Sequence, residues 1–71
     1  MRLEDAAKAL RAMYDDPATG KAVSIHLFGI RYADSLKGMP LEEIVIRAGL
    51  PKSYQTEVRK GINLARHVVE K

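Results

Sequence analysis

Pro40-Leu41-Glu42-Glu43-Ile44-Val45-Ile46-Arg47-Ala48, then Gly49-Leu50-Pro51, then a run from Ser53 to about Val69: this part of the chain decides its architecture. In the first stretch Leu41, Ile44, Val45 and Ala48 stand three and four residues apart, the spacing of one buried helical stripe. Pro40 suits a first helical position, and Glu42 and Glu43 fall in the first turn, where the helix dipole favours anions. Ile46 lies off the stripe and is expected at the surface. Gly49 can adopt positive φ after the last turn, and Pro51 prevents the helix from continuing. Ser53 is placed to N-cap a second, longer helix. There Tyr54, Val58, Gly61, Ile62, Ala65, Val68 and Val69 share one face, and Thr56, Arg59, Lys60, Asn63, Arg66 and His67 share the other. No other segment of the chain is so cleanly amphipathic.

Working outward toward the N-terminus, Leu3, Ala6, Ala7, Leu10, Met13 and Tyr14 form another helical stripe, with Glu4, Lys8 and Arg11 opposite. This helix runs from about Leu3 to Asp15. It ends at Asp15-Asp16-Pro17, because a residue before proline avoids the α region. The turn continues to Gly20. Lys21 to Leu36 is compatible with two readings. As a helix it lines Ala22, Ile25, Gly29, Tyr32, Ala33 and Leu36 on one side, with Val23 and Ile30 beside them. Ser24, Arg31, Asp34 and Ser35 then lie opposite, with Phe28 near that polar side. As a strand, Val23, Ile25 and Leu27 alternate with Ser24, His26 and Phe28, but a lone strand needs a second chain to pair with. Sixteen residues suit a helix better, and helix is the reading adopted. Lys37-Gly38-Met39 breaks the chain before Pro40.

The chain has 71 residues, enough for one domain spanning 1–71. At this size stability is small, and packing or dimerisation must supply it. Hydrophobic residues make up 46%, too many for a disordered chain. There is no cysteine, which excludes disulfides and thiolate metal sites and fits a reducing compartment. No apolar run is long enough to span a bilayer, and the segment starting Met1-Arg2-Leu3-Glu4-Asp5 has no apolar signal core. A cytoplasmic protein without membrane contact is expected. The net charge of +3 is modest, but between Lys52 and His67 the cations Lys52, Arg59, Lys60 and Arg66 face Glu57 alone. A locally positive face suits a polyanion, although such clusters are also ordinary solvated surface.

The segment from Leu41 to Leu64 resembles the helix-turn-helix of small bacterial and phage DNA-binding proteins. The resemblance rests on Leu41 to Pro51, with Ile44, Val45 and Ala48 packed and Gly49 in the turn. It covers about residues 40–64. The family pattern has an apolar residue five to six positions after the turn glycine and another three later. Here Tyr54 and Val58 are four apart, with Gln55 between. The resemblance implies that the second helix enters the major groove and that its early residues reach base edges. The residue types fit that role. Arg pairs with guanine, Asn or Gln with adenine, and Lys and hydroxyls hold phosphates. The candidate DNA-binding residues are therefore Lys52, Ser53, Gln55, Thr56, Arg59, Lys60, Asn63 and Arg66.

The expected fold is all-α, a small four-helix domain containing a helix-turn-helix. The expected function is DNA binding by a small transcriptional regulator that uses the last helix for recognition. Its partner is duplex DNA, with a homodimer compatible with the chain. Two alternatives stand beside it. One is a protein-interaction module that uses Ile46, Phe28 or the methionines. The other is a ribbon-type dimer pairing Val23 to Phe28, which would turn Ser24, His26 and Phe28 toward the groove. No cofactor, metal or catalytic activity is expected. His26 and His67 are far apart and lack carboxylates at ligand spacing, so His26 reads as half-buried and His67 as part of the polar face. Asp15-Asp16 reads as a helix end, Ala18-Thr19-Gly20-Lys21 lacks the pattern of a phosphate loop, and Ser24 and Ser35 have no activating partner.

Overall fold

Helices form in all four expected segments, with differences in the second and the last. The computed structural model describes residues 1–67, in which five α segments and one 3₁₀ turn follow one another. Helix α1 spans Leu3–Asp15, α2 Lys21–Arg31, α3 Ala33–Leu36, α4 Leu41–Arg47 and α5 Gln55–Leu64, with a 3₁₀ turn at Lys52–Tyr54. Four of the helices have seven residues or more, and α3 is a single turn. No strand occurs among the described residues, and residues 23–28 lie inside α2, so the ribbon dimer is excluded.

Helix α1 buries Ala6, Ala7 and Leu10, with Leu3, Met13 and Tyr14 half-buried around them, as its spacing required. Asp16 ends it in extended backbone at φ −67° and ψ 115°. The Asp16 carboxylate then accepts the Ala18 amide at 2.9 Å, and the Asp16 carbonyl accepts Thr19 N–H at 3.2 Å, so the turn is tied by its own aspartate.

The second expected helix differs in two ways. It breaks at Tyr32 (φ −109°, ψ 20°), so Lys21–Leu36 is two helices and not one. Neither glycine nor proline marks that break. The Tyr32 ring lies 5.4 Å from the Phe28 ring between centroids, and the short α3 beyond the break places Leu36 in the core. The buried stripe of α2 is also rotated relative to the expected one. Phe28 is fully buried (0% exposed) at its centre, and Ser24 is buried beside it, while Ala22 and Val23 face solvent. Phe28 was expected near the polar side. Its ring is the largest side chain in the core, and burying it outweighs burying Ala22 or Val23. Ser24 is tolerated inside because its hydroxyl donates to the Lys21 carbonyl at 2.6 Å, leaving no unmet donor.

Helix α4 buries Leu41, Ile44 and Val45, and Ala48 and Leu50 continue that apolar surface, while Ile46 is 48% exposed. Pro40 sits one position earlier than expected, at the N-cap with ψ 101°, and Leu41 is the first helical residue. Helix α5 packs most extensively on α2, and α1 packs on both α2 and α4. The core gathers between these elements, with Leu10, Phe28, Leu36, Ile44, Val45 and Val58 wholly inside it. Helix α5 ends at Leu64 and residues 65–67 form a turn, so the helix stops short of the end expected near Val69. Val68 and Val69, expected on its buried face, lie outside the described residues.

Candidate nucleic-acid interface

The turn between α4 and α5 is built by the backbone. Gly49 takes φ +80°, which only glycine adopts without strain. Its N–H reaches the Ile46 carbonyl at 2.9 Å, and Leu50 N–H reaches the Val45 carbonyl at 3.0 Å. These two bonds make a Schellman ending, and buried Leu50 supplies the apolar contact that usually accompanies one. From the other side, Arg11 Nη1 of α1 donates to the Ala48 carbonyl at 3.3 Å, placing a cation at the negative end of α4.

After Pro51 the chain does not enter α5 directly. It first makes the 3₁₀ turn Lys52–Tyr54, with Tyr54 N–H on the Pro51 carbonyl at 3.0 Å. Ser53 therefore lies inside that turn and is not the N-cap of α5. Neither the 3₁₀ turn nor α5 begins with a side-chain cap. Tyr54 is half-buried against Tyr14 of α1, with ring centroids 6.2 Å apart. Lys21 Nζ lies 4.2 Å from the Tyr14 ring centre. Hydrogen bonding to Tyr14 is the main influence raising the Tyr54 hydroxyl above the ordinary tyrosine value.

Helix α5 is seated on α2 by two glycines. A methyl group built on Gly29 would lie 2.9 Å from Gly61 Cα and from Ile62 N, and would collide with the Val58 carbonyl. One built on Gly61 would lie 3.1 Å from Gly29 Cα and would collide with the His26 carbonyl. The two backbones thus touch, and only glycine leaves room at either position. Val58, fully buried, is the main apolar anchor, and Ile62 and Tyr54 are half-buried beside it.

The opposite side of α5 holds the candidate residues. Lys52, Ser53, Thr56, Arg59, Lys60, Asn63 and Arg66 are all exposed, and Gln55 is half-buried. Helix α5 carries Thr56, Arg59, Lys60 and Asn63, with Lys52 in the 3₁₀ turn before it and Arg66 in the turn after it. Their bonding is uneven. Lys60 Nζ lies 3.2 Å from Glu57 Oε2, and that ion pair holds the Glu57 carboxyl below the ordinary glutamate value. His26 Nε2 of α2 lies 3.7 Å from the other oxygen of Glu57. Gln55 Nε2 donates to Glu42 Oε2 of α4 at 3.3 Å. Lys52, Arg59 and Arg66 make no ion pair among the described residues.

Three features of this surface escaped the reading of the sequence. Leu64 is 42% exposed beside Lys60, Asn63 and His67, an apolar spot on a polar side. Glu42 and His26 reach the site from other helices, at separations that no local periodicity reveals. Phe28, offered as a contact for a protein partner, is in the core and unavailable, whereas Ile46 is at the surface as expected.

A family model described as an HTH-like domain matches residues 2–71. The chain belongs to the HTH-like domain family. Comparison with curated proteins and with solved structures gives no match. In this chain α4 and α5 are joined by the Gly49 turn, and α5 packs on α2. No helix among the described residues is long and apolar enough to cross a membrane. No group of three or more His, Asp or Glu among them could hold a metal ion.

Proposed function

We propose that this protein binds duplex DNA through α5, as a small transcriptional regulator. Membership of the HTH-like family supports the class of ligand. The observation that supports the choice of surface is the exposed cationic side of α5 and its flanking turns, beyond the α4 turn. Lys52, Arg59 and Arg66 are exposed there and have no carboxylate partner among the described residues, which leaves them available to phosphate or guanine. Asn63 and Gln55 offer the paired donor and acceptor that adenine requires, and Ser53 and Thr56 offer hydroxyls to the backbone. The reading is of binding, not catalysis, and the expected setting is the cytoplasm.

A salt titration with random duplex DNA tests the reading. Three free cations, each releasing about 0.9 counterion, give a slope of log affinity against log salt of about −3. Amide shifts of residues 52–66 on adding duplex should map the contact to α5. No binding at low salt would overturn the proposal, and shifts confined to α1 and α2 would overturn the choice of face.

A further inference from the structure

Gln55 is the first residue of α5, and its amide nitrogen points at Glu42 across the turn. An ionised carboxylate accepts hydrogen bonds and donates none. The orientation of the Gln55 amide is therefore settled by chemistry: nitrogen toward Glu42, carbonyl oxygen away from it. One of its two N–H groups is used. What is left over is one N–H and the carbonyl oxygen, side by side.

We infer that Glu42 is a positioning residue that sets Gln55 to read adenine in preference to guanine. The inference rests on the proposal that α5 binds duplex DNA. Adenine presents an N6 donor and an N7 acceptor in the major groove, and one carbonyl and one N–H match that pair. Guanine presents two acceptors, O6 and N7, and matching both requires both N–H groups of the amide. Glu42 already holds one of them. Reading guanine bidentately would break the bond to Glu42 and leave its carboxylate facing the groove unmet, whereas reading adenine leaves that bond intact. Glu42 and Gln55 come from the two helices of the motif, so the amide orientation is fixed before DNA arrives. The order of the pair matters: a cation at position 42 could not hold the amide nitrogen and would turn the oxygen inward.

The test is selection from a random duplex library, followed by affinity measurement on sites that differ at one base pair. The panel is the parent protein, Gln55→Ala, Glu42→Ala, Glu42→Gln and the double variant Glu42→Ala/Gln55→Ala, each checked for helicity. Gln55→Ala identifies the position that Gln55 reads. The parent should prefer adenine to guanine there by roughly tenfold or more. Glu42→Ala should reduce that preference several-fold at the same position while raising affinity for random duplex, because an acid beside phosphate has gone. Glu42→Gln, which can still accept the bond, should keep most of the preference. The double variant should show the same base preference as Gln55→Ala, with the raised overall affinity of Glu42→Ala. A parent protein that binds no duplex overturns the DNA reading itself. If the parent binds and selects but Glu42→Ala strengthens all sites equally, Glu42 acts by charge alone and this inference is wrong. A changed preference at a position other than that of Gln55 overturns it as well, as does a Glu42→Gln variant that behaves like Glu42→Ala.

Discussion

The two sides of α5 are built on opposite terms. The inward side is made of small groups, Gly61 against Gly29 and Val58 in the core, and its backbone lies in contact with the backbone of α2. The outward side carries Arg59, Lys60 and Asn63, with Arg66 in the turn just beyond, all exposed. One side fixes where the helix is, and the other determines what it can touch. Substitutions on the inward side should therefore change stability first, and those on the outward side should change binding with the fold intact. A second contrast sharpens this. Arg11 on α1 is paired with Asp15 at 3.0 Å and Arg47 on α4 with Glu43 at 3.0 Å, whereas Arg59 and Arg66 make no ion pair among the described residues. Cation content alone does not separate the two surfaces; their pairing does.

The largest effect is expected at the glycine crossing. Gly61→Val places branched carbons where the His26 carbonyl and Gly29 Cα already stand. Backbone atoms cannot yield as a flexible side chain can. The cost should be on the order of 3 kcal/mol, well above the fraction of a kcal/mol that removing a helical glycine returns. For a domain of this size that is much of the total stability. Thermal unfolding followed by circular dichroism checks it. A melting temperature equal to the parent's would show that α5 is not seated where the structure has it.

Next come the apolar anchors. Val58→Ala opens a cavity at a fully buried position and should cost about 2 kcal/mol. Ile62→Ala, at a half-buried position, should cost about 1 kcal/mol, because part of its surface stays wet in either state. Urea unfolding midpoints rank the two. If Ile62 proves the more costly, the helix is rotated about its axis, and the outward face must be reassigned along with it.

On the outward side, Arg59→Ala and Arg66→Ala should leave stability within about 0.5 kcal/mol of the parent. Each should weaken binding to duplex DNA several-fold and reduce the salt slope by about 0.9. Lys60→Ala should do less of both, because Lys60 is already paired with Glu57 at 3.2 Å. Fluorescence anisotropy at several salt concentrations separates the three. Equal losses for all three would mean that the Glu57 pair does not restrain Lys60.

These contrasts were only partly legible in the sequence. Local rules carried far. The stripes of α1 and α4, the ending at Asp16-Pro17 and the positive φ of Gly49 each depend on residues a few positions apart, and each came out as the spacing required. What failed depends on partners far along the chain. The stripe of α2 turned toward Phe28 because the core needed its ring, and nothing within Lys21–Leu36 records what lies opposite. The crossing of Gly29 with Gly61 joins positions far apart in the chain, so Gly29 read as one more residue of a stripe. Glu42 was correctly given a place in the first turn of α4, but its bond to Gln55 depends on how the Gly49 turn aims the next helix. Ser53 misled for a different reason. It has the chemistry of an N-cap, and the chain used the position for a 3₁₀ turn instead. The outward cations were visible from composition, whereas the pairing that ranks them became visible only in the fold.

The smallest effect concerns Glu57, the one acid within the basic segment, and it runs opposite to the others. Its carboxylate holds Lys60, lies near His26 and titrates below the ordinary value of 4.5. A carboxyl whose folded-state pKa is depressed contributes stability above its unfolded pKa and loses that contribution as pH falls through the folded value. Glu57 is half-buried but its Lys60 partner is exposed, so the contribution is small and salt-sensitive. Glu57→Gln should therefore melt slightly below the parent at neutral pH, and the gap should close as pH drops below the ordinary glutamate range. For DNA the sign reverses. Removing the carboxylate frees Lys60 and should raise affinity for random duplex about twofold to threefold, with a slightly steeper salt slope. Loss of a negative charge near phosphate would itself raise affinity, so the double variant Glu57→Gln/Lys60→Ala decides between the two causes. If the gain disappears in the double variant, Lys60 is the released contact. If it persists, Glu57 acts on the DNA directly, and Lys60 belongs with the paired cations of α1 and α4 and not with the binding face.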